Sequence, residues 1–231
     1  MWDLNSPKNS PLVTFWEHSK EVYSLDWCKK SQNQILSASW DCTTKLWDPN
    51  RQNSLNTFQG HSQLVYSSKF SPFMPQCFAS VSGDGTLKLW DIFTGTKASS
   101  SFKVHDAEVL SCDWSKFDEN IICTSGSDAL IRGWDIRNYL QPVFQLRGHN
   151  YAVRRIQFSP HFPSILASVS YDFSTRIWDF KTDSSAIEVI NHHSEFVYGV
   201  DWNMGRKGQL SDCGWDSLVH IFDPVSLKNY F

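Results

Sequence analysis

Apolar and polar positions alternate along this chain in short runs separated by polar turns, the pattern of half-buried β-strands. The runs fall into sets of four. The first strand of each set is alternating or wholly apolar, at Val22–Trp27, Val65–Phe70, Val109–Trp114, Val153–Phe158 and Val197–Trp202, and turns such as Ser71-Pro72-Phe73 and Ser159-Pro160-His161 follow it. The second is small and apolar, over Ile35–Ser39, Phe78–Ser82, Ile121–Ser125, Ile165–Ser170 and Leu210–Cys213. A tight turn carrying an aspartate leads to the third, expected at Thr44–Trp47, Thr86–Trp90, Leu130–Trp134, Thr175–Trp178 and Leu218–Phe222. A more polar fourth strand is expected at Leu55–Phe58, Ser99–Phe102, Val143–Leu146, Ile187–Ile190 and Leu227–Tyr230, and Leu12–Trp16 reads as one further edge strand.

The sets share landmarks. A histidine (His18, His61, His105, His149, His193) is followed 23 residues later by an aspartate (Asp41, Asp84, Asp128, Asp172, Asp216). An aromatic-Asp pair comes 6 residues after that aspartate: Trp47-Asp48, Trp90-Asp91, Trp134-Asp135, Trp178-Asp179 and Phe222-Asp223. The histidines recur after 43 residues once and 44 thereafter. This period and signature resemble the WD-repeat family of β-propellers, which implies an all-β fold with one four-stranded blade per repeat. The repeats then run about 18–60, 61–104, 105–148, 149–192 and 193–231 within a single propeller domain over 1–231. Residues 1–17 read as the remnant of a preceding repeat: Trp2-Asp3 stands where a closing pair belongs, and Ser6-Pro7-Lys8-Asn9-Ser10-Pro11 is the turn after it. The expectation is five four-stranded blades plus one extra N-terminal strand. WD-repeat rings usually have seven blades, so these five would form an open arc, with earlier blades preceding Met1 in the parent protein.

The chain is long enough for one sizeable core, and its net charge of -3 argues against a generic phosphate-binding surface, so no nucleic acid partner is expected. Six cysteines without a CxxC spacing read as reduced thiols rather than disulfides or a zinc site. No apolar run approaches the roughly 18 residues that span a bilayer, so no direct membrane insertion is expected.

One histidine, hydroxyl, aspartate and tryptophan per repeat look superficially like a catalytic triad. In WD-repeat proteins the four form a structural hydrogen-bond chain, and the sets here are His18/Ser37/Asp41/Trp47, His61/Ser80/Asp84/Trp90, His105/Thr124/Asp128/Trp134 and His149/Ser168/Asp172/Trp178. Repeated braces make physical sense where repeated triads do not, because an unpaired buried Asp or indole N–H costs about 1–3 kcal/mol. The fifth set departs from the others, with Asp212 for the hydroxyl and Phe222 for the tryptophan, and should be the least rigid. Lys45, Lys88, Arg132, Arg176 and His220 form a basic stripe two residues before each closing aromatic, read as structural or solvated rather than as an anion site. Ser82-Gly83-Asp84-Gly85 has no nucleotide-loop spacing. His192-His193, taken as extended, would point to opposite faces, so no metal is expected. The expectation is a protein that is not an enzyme and carries no cofactor.

Three positions per repeat should meet near the central opening. They read Glu21, Leu64, Glu108, Ala152, Phe196; then Tyr23, Tyr66, Leu110, Arg154, Tyr198; then Trp40, Gly83, Ser127, Tyr171, Trp215. Aromatics at loop positions where Ser or Gly would suffice suggest a recognition surface. The stretches HSKEVYSLDW, SWDCTTKLWDP, RGWDIRNYLQPVFQLRGHNYAVRRIQFSP, SYDFSTRIWDF and HHSEFVYGVDW are similar to the family of peroxisomal import receptors for the type 2 targeting signal, the peroxin-seven family. This resemblance implies a cytosolic receptor that shuttles to the peroxisome and its matrix. Its implied partners are cargo bearing a type 2 signal, a co-receptor, and docking machinery at the peroxisomal membrane. Such a signal is a short amphipathic helix with a basic residue and aliphatic ones. The candidate peptide-binding set is Glu21 and Glu108 as counter-charges with Tyr23, Trp40, Tyr66, Tyr171 and Trp215 as walls. The competing expectation is a WD-repeat scaffold of another pathway, such as a chromatin or signalling adaptor.

Overall fold

The computed structural model describes Met1 and residues 11–230, and these are almost entirely strand and turn. The first sheet orders β1 (Val22–Trp27), β2 (Ile35–Ser39), β3 (Thr43–Trp47) and β4 (Asn56–Gln59) in antiparallel sequence. The second repeats it with β5 (Val65–Phe70), β6 (Cys77–Ser82), β7 (Thr86–Asp91) and β8 (Ser100–Lys103). The third holds β9 (Val109–Trp114), β10 (Ile121–Gly126), β11 (Ile131–Asp135) and β12 (Phe144–Leu146). The fourth holds β13 (Val153–Phe158), β14 (Ile165–Ser170), β15 (Thr175–Asp179) and β16 (Ala186–Ile190). The fifth has three strands, β17 (Val197–Trp202), β18 (Leu210–Gly214) and β19 (Val219–Phe222). These are the blades of a β-propeller, with the opening strands innermost.

The core lies between blades rather than within them. Leu36, Leu46 and Phe58 of the first blade meet Phe70, Phe78 and Trp90 of the second, and three further clusters repeat this arrangement down to the fifth blade. Each sheet therefore has a face for the blade before it and a face for the blade after it. The end blades lack one neighbour each. On the first, Val22, Leu25 (64% exposed) and Trp27 lie open where Val65, Phe70, Val109 and Trp114 are buried in the blades that follow. On the fifth, Val219 and Ile221 (70% exposed each) stand where Thr175 and Ile177 are fully buried in the fourth.

Two expectations are corrected. Leu227–Tyr230 is not a rim strand but part of a 3-10 helix over Ser226–Tyr230. Glu188 of β16 accepts hydrogen bonds from the amides of Val225 (3.2 Å) and Ser226 (2.7 Å), and Leu227 is buried in the cluster between blades four and five. The Tyr230 hydroxyl donates to Asp179 at 2.6 Å, so the segment is drawn onto the fourth blade rather than along β19. Leu12–Trp16 forms no strand either. It is held by side chains: Phe15 packs on Trp47 at 4.7 Å, and Glu17 accepts from Lys45 (3.1 Å) and from the amide and hydroxyl of Ser54. The Ser54 bonds in particular hold the Glu17 carboxyl down at about 2. The Trp2-Asp3 pair and the turn at 6–10 lie outside the described residues. All six cysteines are free, and among the described residues no helix is long and apolar enough to cross a membrane.

Candidate functional site

The braces form in all four complete blades. His18 Nδ1 meets Asp41 at 2.7 Å, His18 Nε2 meets Ser37 at 2.6 Å, and the Trp47 indole donates to the same hydroxyl at 2.8 Å. The corresponding distances are 2.9, 2.7 and 2.8 Å for His61, Asp84, Ser80 and Trp90, and 2.9 Å throughout for His105, Asp128, Thr124 and Trp134. For His149, Asp172, Ser168 and Trp178 they are 2.9, 2.6 and 2.7 Å. Burial alone would raise the Asp84 carboxyl, but hydrogen bonds from His61 and Thr86 outweigh it and hold the group well below the usual carboxylate range. Burial lowers His105 and His149, which sit deep between strands. The basic stripe turns inward. Lys45 donates to Thr57 at 2.8 Å, Lys88 to Ser101 at 2.6 Å, Arg132 to Asp128 at 3.0 Å, and Arg176 lies 3.6 Å from Asp172.

The candidate surface is assembled by two devices repeated in every blade. The first is a backbone bond from the residue before the aspartate to the third residue after the histidine. It runs from Trp40 to Glu21 (2.9 Å), Gly83 to Leu64 (3.0 Å), Ser127 to Glu108 (2.9 Å), Tyr171 to Ala152 (3.1 Å) and Trp215 to Phe196 (2.9 Å). The second is an irregularity at the second residue of each inner strand: the register passes from Val22 to Ser24, Val65 to Ser67, Val109 to Ser111, Val153 to Arg155 and Val197 to Gly199. The skipped residues are Tyr23, Tyr66, Leu110, Arg154 and Tyr198. A bulge leaves its extra residue out of the ladder and re-aims its side chain, which brings four of these five side chains together at one mouth of the ring.

There the aromatics form a continuous wall. Tyr23 lies 5.5 Å from Trp40, 5.2 Å from Tyr66 and 6.4 Å from Tyr198 by ring centroid, and the Tyr198 hydroxyl donates to that of Tyr23 at 2.7 Å. Phe196 joins Tyr171 (4.8 Å), Phe173 (5.6 Å) and Trp215 (5.3 Å), and Trp215 lies 6.3 Å from Tyr198. Glu108 accepts from the Tyr66 hydroxyl at 3.4 Å; its charge, after burial, pushes that phenol up to about 12. Glu21 is exposed beside Trp40, and Trp215 is 63% exposed. All seven candidate residues thus lie at this mouth.

The candidate set left out four members of the site: Phe196 and Tyr198 of the wall, Arg154 and Phe173. Arg154 is only 2% exposed, with its guanidinium carbon 4.3 Å above the Tyr23 ring and 4.2 Å above that of Tyr198. It forms a cationic floor beneath a wall read as acidic and aromatic. Phe173, in the turn after Asp172, extends the wall with φ at 69°. Arg154 was visible as the one basic residue among the second positions, but nothing in the sequence marked the sandwich. At the opposite mouth the inner strands surround a cavity of about 480 Å³ bordered by Asp26, Lys69, Asp113, Gln157 and Asp201. Asp26 there bonds Lys69 (3.0 Å) and the Phe70 amide (2.9 Å), tying the first two blades together.

The fifth blade corrects the reading of His192-His193. The two are not in a strand, and their rings do not diverge. His192 Nε2 lies 2.8 and 2.9 Å from the Asp212 oxygens and His193 Nε2 lies 3.1 Å from one of them. With β17 beginning only at Val197, the extended alternation assumed for the pair does not apply.

The braces, blades and periodic turns define a repeat propeller, and the WD domain, G-beta repeat family matches residues 9–48, 52–91, 96–135 and 140–179. The chain belongs to the WD-repeat family. Within it, the chain is similar to the peroxisomal targeting signal 2 receptors of Mus musculus (46% identical over 56 residues) and Dictyostelium discoideum (44% over 55). These matches cover 24% and 23% of this chain and 17% of either relative. It is also similar to the protein transport protein SEC31 of Kluyveromyces lactis, 43% identical over 54 residues, which are 23% of this chain and 4% of that one.

Proposed function

We propose that this chain carries the cargo-binding face of a receptor that takes proteins with a type 2 peroxisomal targeting signal from the cytosol to the peroxisome, together with a co-receptor and docking machinery at its membrane. The observation that carries the reading is the convergence of bulged and loop aromatics with Glu108 and Glu21 at one mouth. Similarity to receptors named for this signal supports it. An amphipathic helical peptide fits such a surface: aliphatic side chains against Tyr23, Trp40, Tyr66, Tyr171 and Trp215, and a basic side chain at the two carboxylates. Arg154 fills the axis between Tyr23 and Tyr198, so the peptide lies across the mouth rather than threading it. No bond is made or broken in this role; the chain acts as a binding protein, not an enzyme.

The test is fluorescence anisotropy of a labelled type 2 signal peptide titrated with the chain and co-receptor. Saturable binding is expected. Glu108→Arg should weaken it by roughly 10- to 100-fold, the worth of a charged hydrogen bond, while replacing the basic residue of the peptide by Glu should act in the same direction. Affinity unchanged by both Glu108→Arg and Glu21→Arg overturns the site. Binding indifferent to the peptide's basic and aliphatic positions would favour an adaptor of another pathway.

A further inference from the structure

The fifth blade departs from the other four at four positions, and the departures meet at one point. Asp212 replaces the brace hydroxyl, and Phe222 replaces the indole that would donate to it. His220 replaces Lys or Arg in the basic stripe; His192 stands where Glu17, Gly60, Val104 and Gly148 stand before the repeat histidine. His220 is the cross-strand register partner of Asp212, as Arg176 is of Ser168. The rings of His192 and His220 stack at 4.0 Å, and each lies 4.8 Å from His193. A ring nitrogen from each of the three lies within 4.8 Å of the others.

The proton inventory of this cluster points to a cation. His193 faces a carboxylate at both nitrogens, Asp216 at Nδ1 (2.8 Å) and Asp212 at Nε2 (3.1 Å). A neutral imidazole has one N–H, so both contacts are made either by a protonated ring or by a ring with one nitrogen on a bound cation. Asp212 is 2% exposed and is reached by His192, His193 and the Thr175 hydroxyl, with no lysine or arginine among its bonding partners. His220 Nε2 is buried with no hydrogen-bond partner.

We propose that His192, His193, His220 and Asp212 form a binding site for a divalent transition metal of the zinc class. Three imidazoles and a carboxylate are a donor set that zinc takes tetrahedrally, with ligand atoms about 3.3 Å apart. The three ring nitrogens lie within 4.8 Å of one another, and a bound metal would draw them in to that spacing. Asp216 on the far nitrogen of His193 is the outer carboxylate that fixes a metal-bound imidazole. The His192 side chain is 25% exposed, which gives the site an entry path. The metal would tie β18 and β19 to the 191–193 segment, doing for this blade what the tryptophan-hydroxyl-histidine brace does in the others.

Cobalt(II) is the probe. Titrated into the purified, chelator-stripped chain, it should give the visible absorption of four-coordinate cobalt, saturating at one equivalent and bleached by zinc, and zinc should raise the thermal midpoint. His220→Lys and His192→Gly install residue types found in the other blades and should weaken binding by about 100-fold or more, beyond what outer-shell changes cost. Asp212→Ser with Phe222→Trp rebuilds the ordinary brace and engages His193 in it, so it should fold and yet bind cobalt far more weakly. A parent chain without the band and without a zinc-dependent midpoint overturns the proposal. So does a band of equal strength in the rebuilt-brace variant.

Discussion

Directly after the repeat aspartate, each blade places a residue in the left-handed region: Cys42, Gly85, Ala129, Phe173 and Ser217, with φ between 62° and 77°. An L side chain there costs about 1–2 kcal/mol. Ala129→Gly should therefore stabilise the chain by roughly 0.5–1 kcal/mol, read from the denaturation midpoint. Gly85→Ala should destabilise it by more, because the added methyl would stand 2.6 Å from the His105 carbonyl oxygen. Titration acts at this scale too. His105 and His149 have lowered folded values, so their contribution is present above the unfolded value near 6.5 and is lost as pH falls below it. Asp41, Asp84, Asp128, Asp172 and Asp216 are also depressed, so a second loss begins below about 4. The thermal midpoint should be level from pH 7 to 8, fall gently below 6.5 and steeply below 4; a midpoint level down to pH 4 would mean that the histidines contribute nothing. The landmark residues were legible because their spacing is fixed. The bulges at Tyr23, Tyr66 and Arg154 were not, since a bulge exists only in the register between two strands.

At the scale of the element, the brace couples three segments of a blade through one hydroxyl. Ser80→Ala leaves the His61 ring nitrogen and the Trp90 indole unpaired in the core and should cost about 1–3 kcal/mol. The fifth blade's brace has Phe222 in place of the indole donor, and its sheet has three strands among the described residues, so in chelator-stripped protein native-state hydrogen exchange should be fastest in β17, β18 and β19. Strand positions were readable because inner strands share one apolar face per blade boundary. The last segment misled because its place after Phe222-Asp223 suggested a fourth strand, whereas Leu227 and Tyr230 stand three apart, a helical spacing, and Glu188, which holds the turn, lies nearly forty residues upstream. His192 misled for a similar reason: alternation holds in strands, and it stands outside one.

Across the whole molecule, the two unpartnered faces are the two halves of the repeated blade boundary, one on β1 and one on β19. Apolar faces of this kind favour association. Light scattering should show assembly growing with concentration, and Leu25→Glu with Ile221→Glu should suppress it; identical scattering from both proteins would mean the faces are not what associates. Blade order and count followed from the period, but the approach of the end blades did not, because no repeat encodes a contact between its first and last copies. That approach is made by Tyr23 and Tyr198, 175 residues apart, whereas neighbouring blades meet at separations near 44. Joining ends across the longer span costs about 1.2 kcal/mol more in chain entropy, so this latch closes after the blades have stacked. Tyr198→Phe should then leave the folding rate alone and hasten unfolding, making the tyrosine pair a determinant of the protein's lifetime rather than of its assembly.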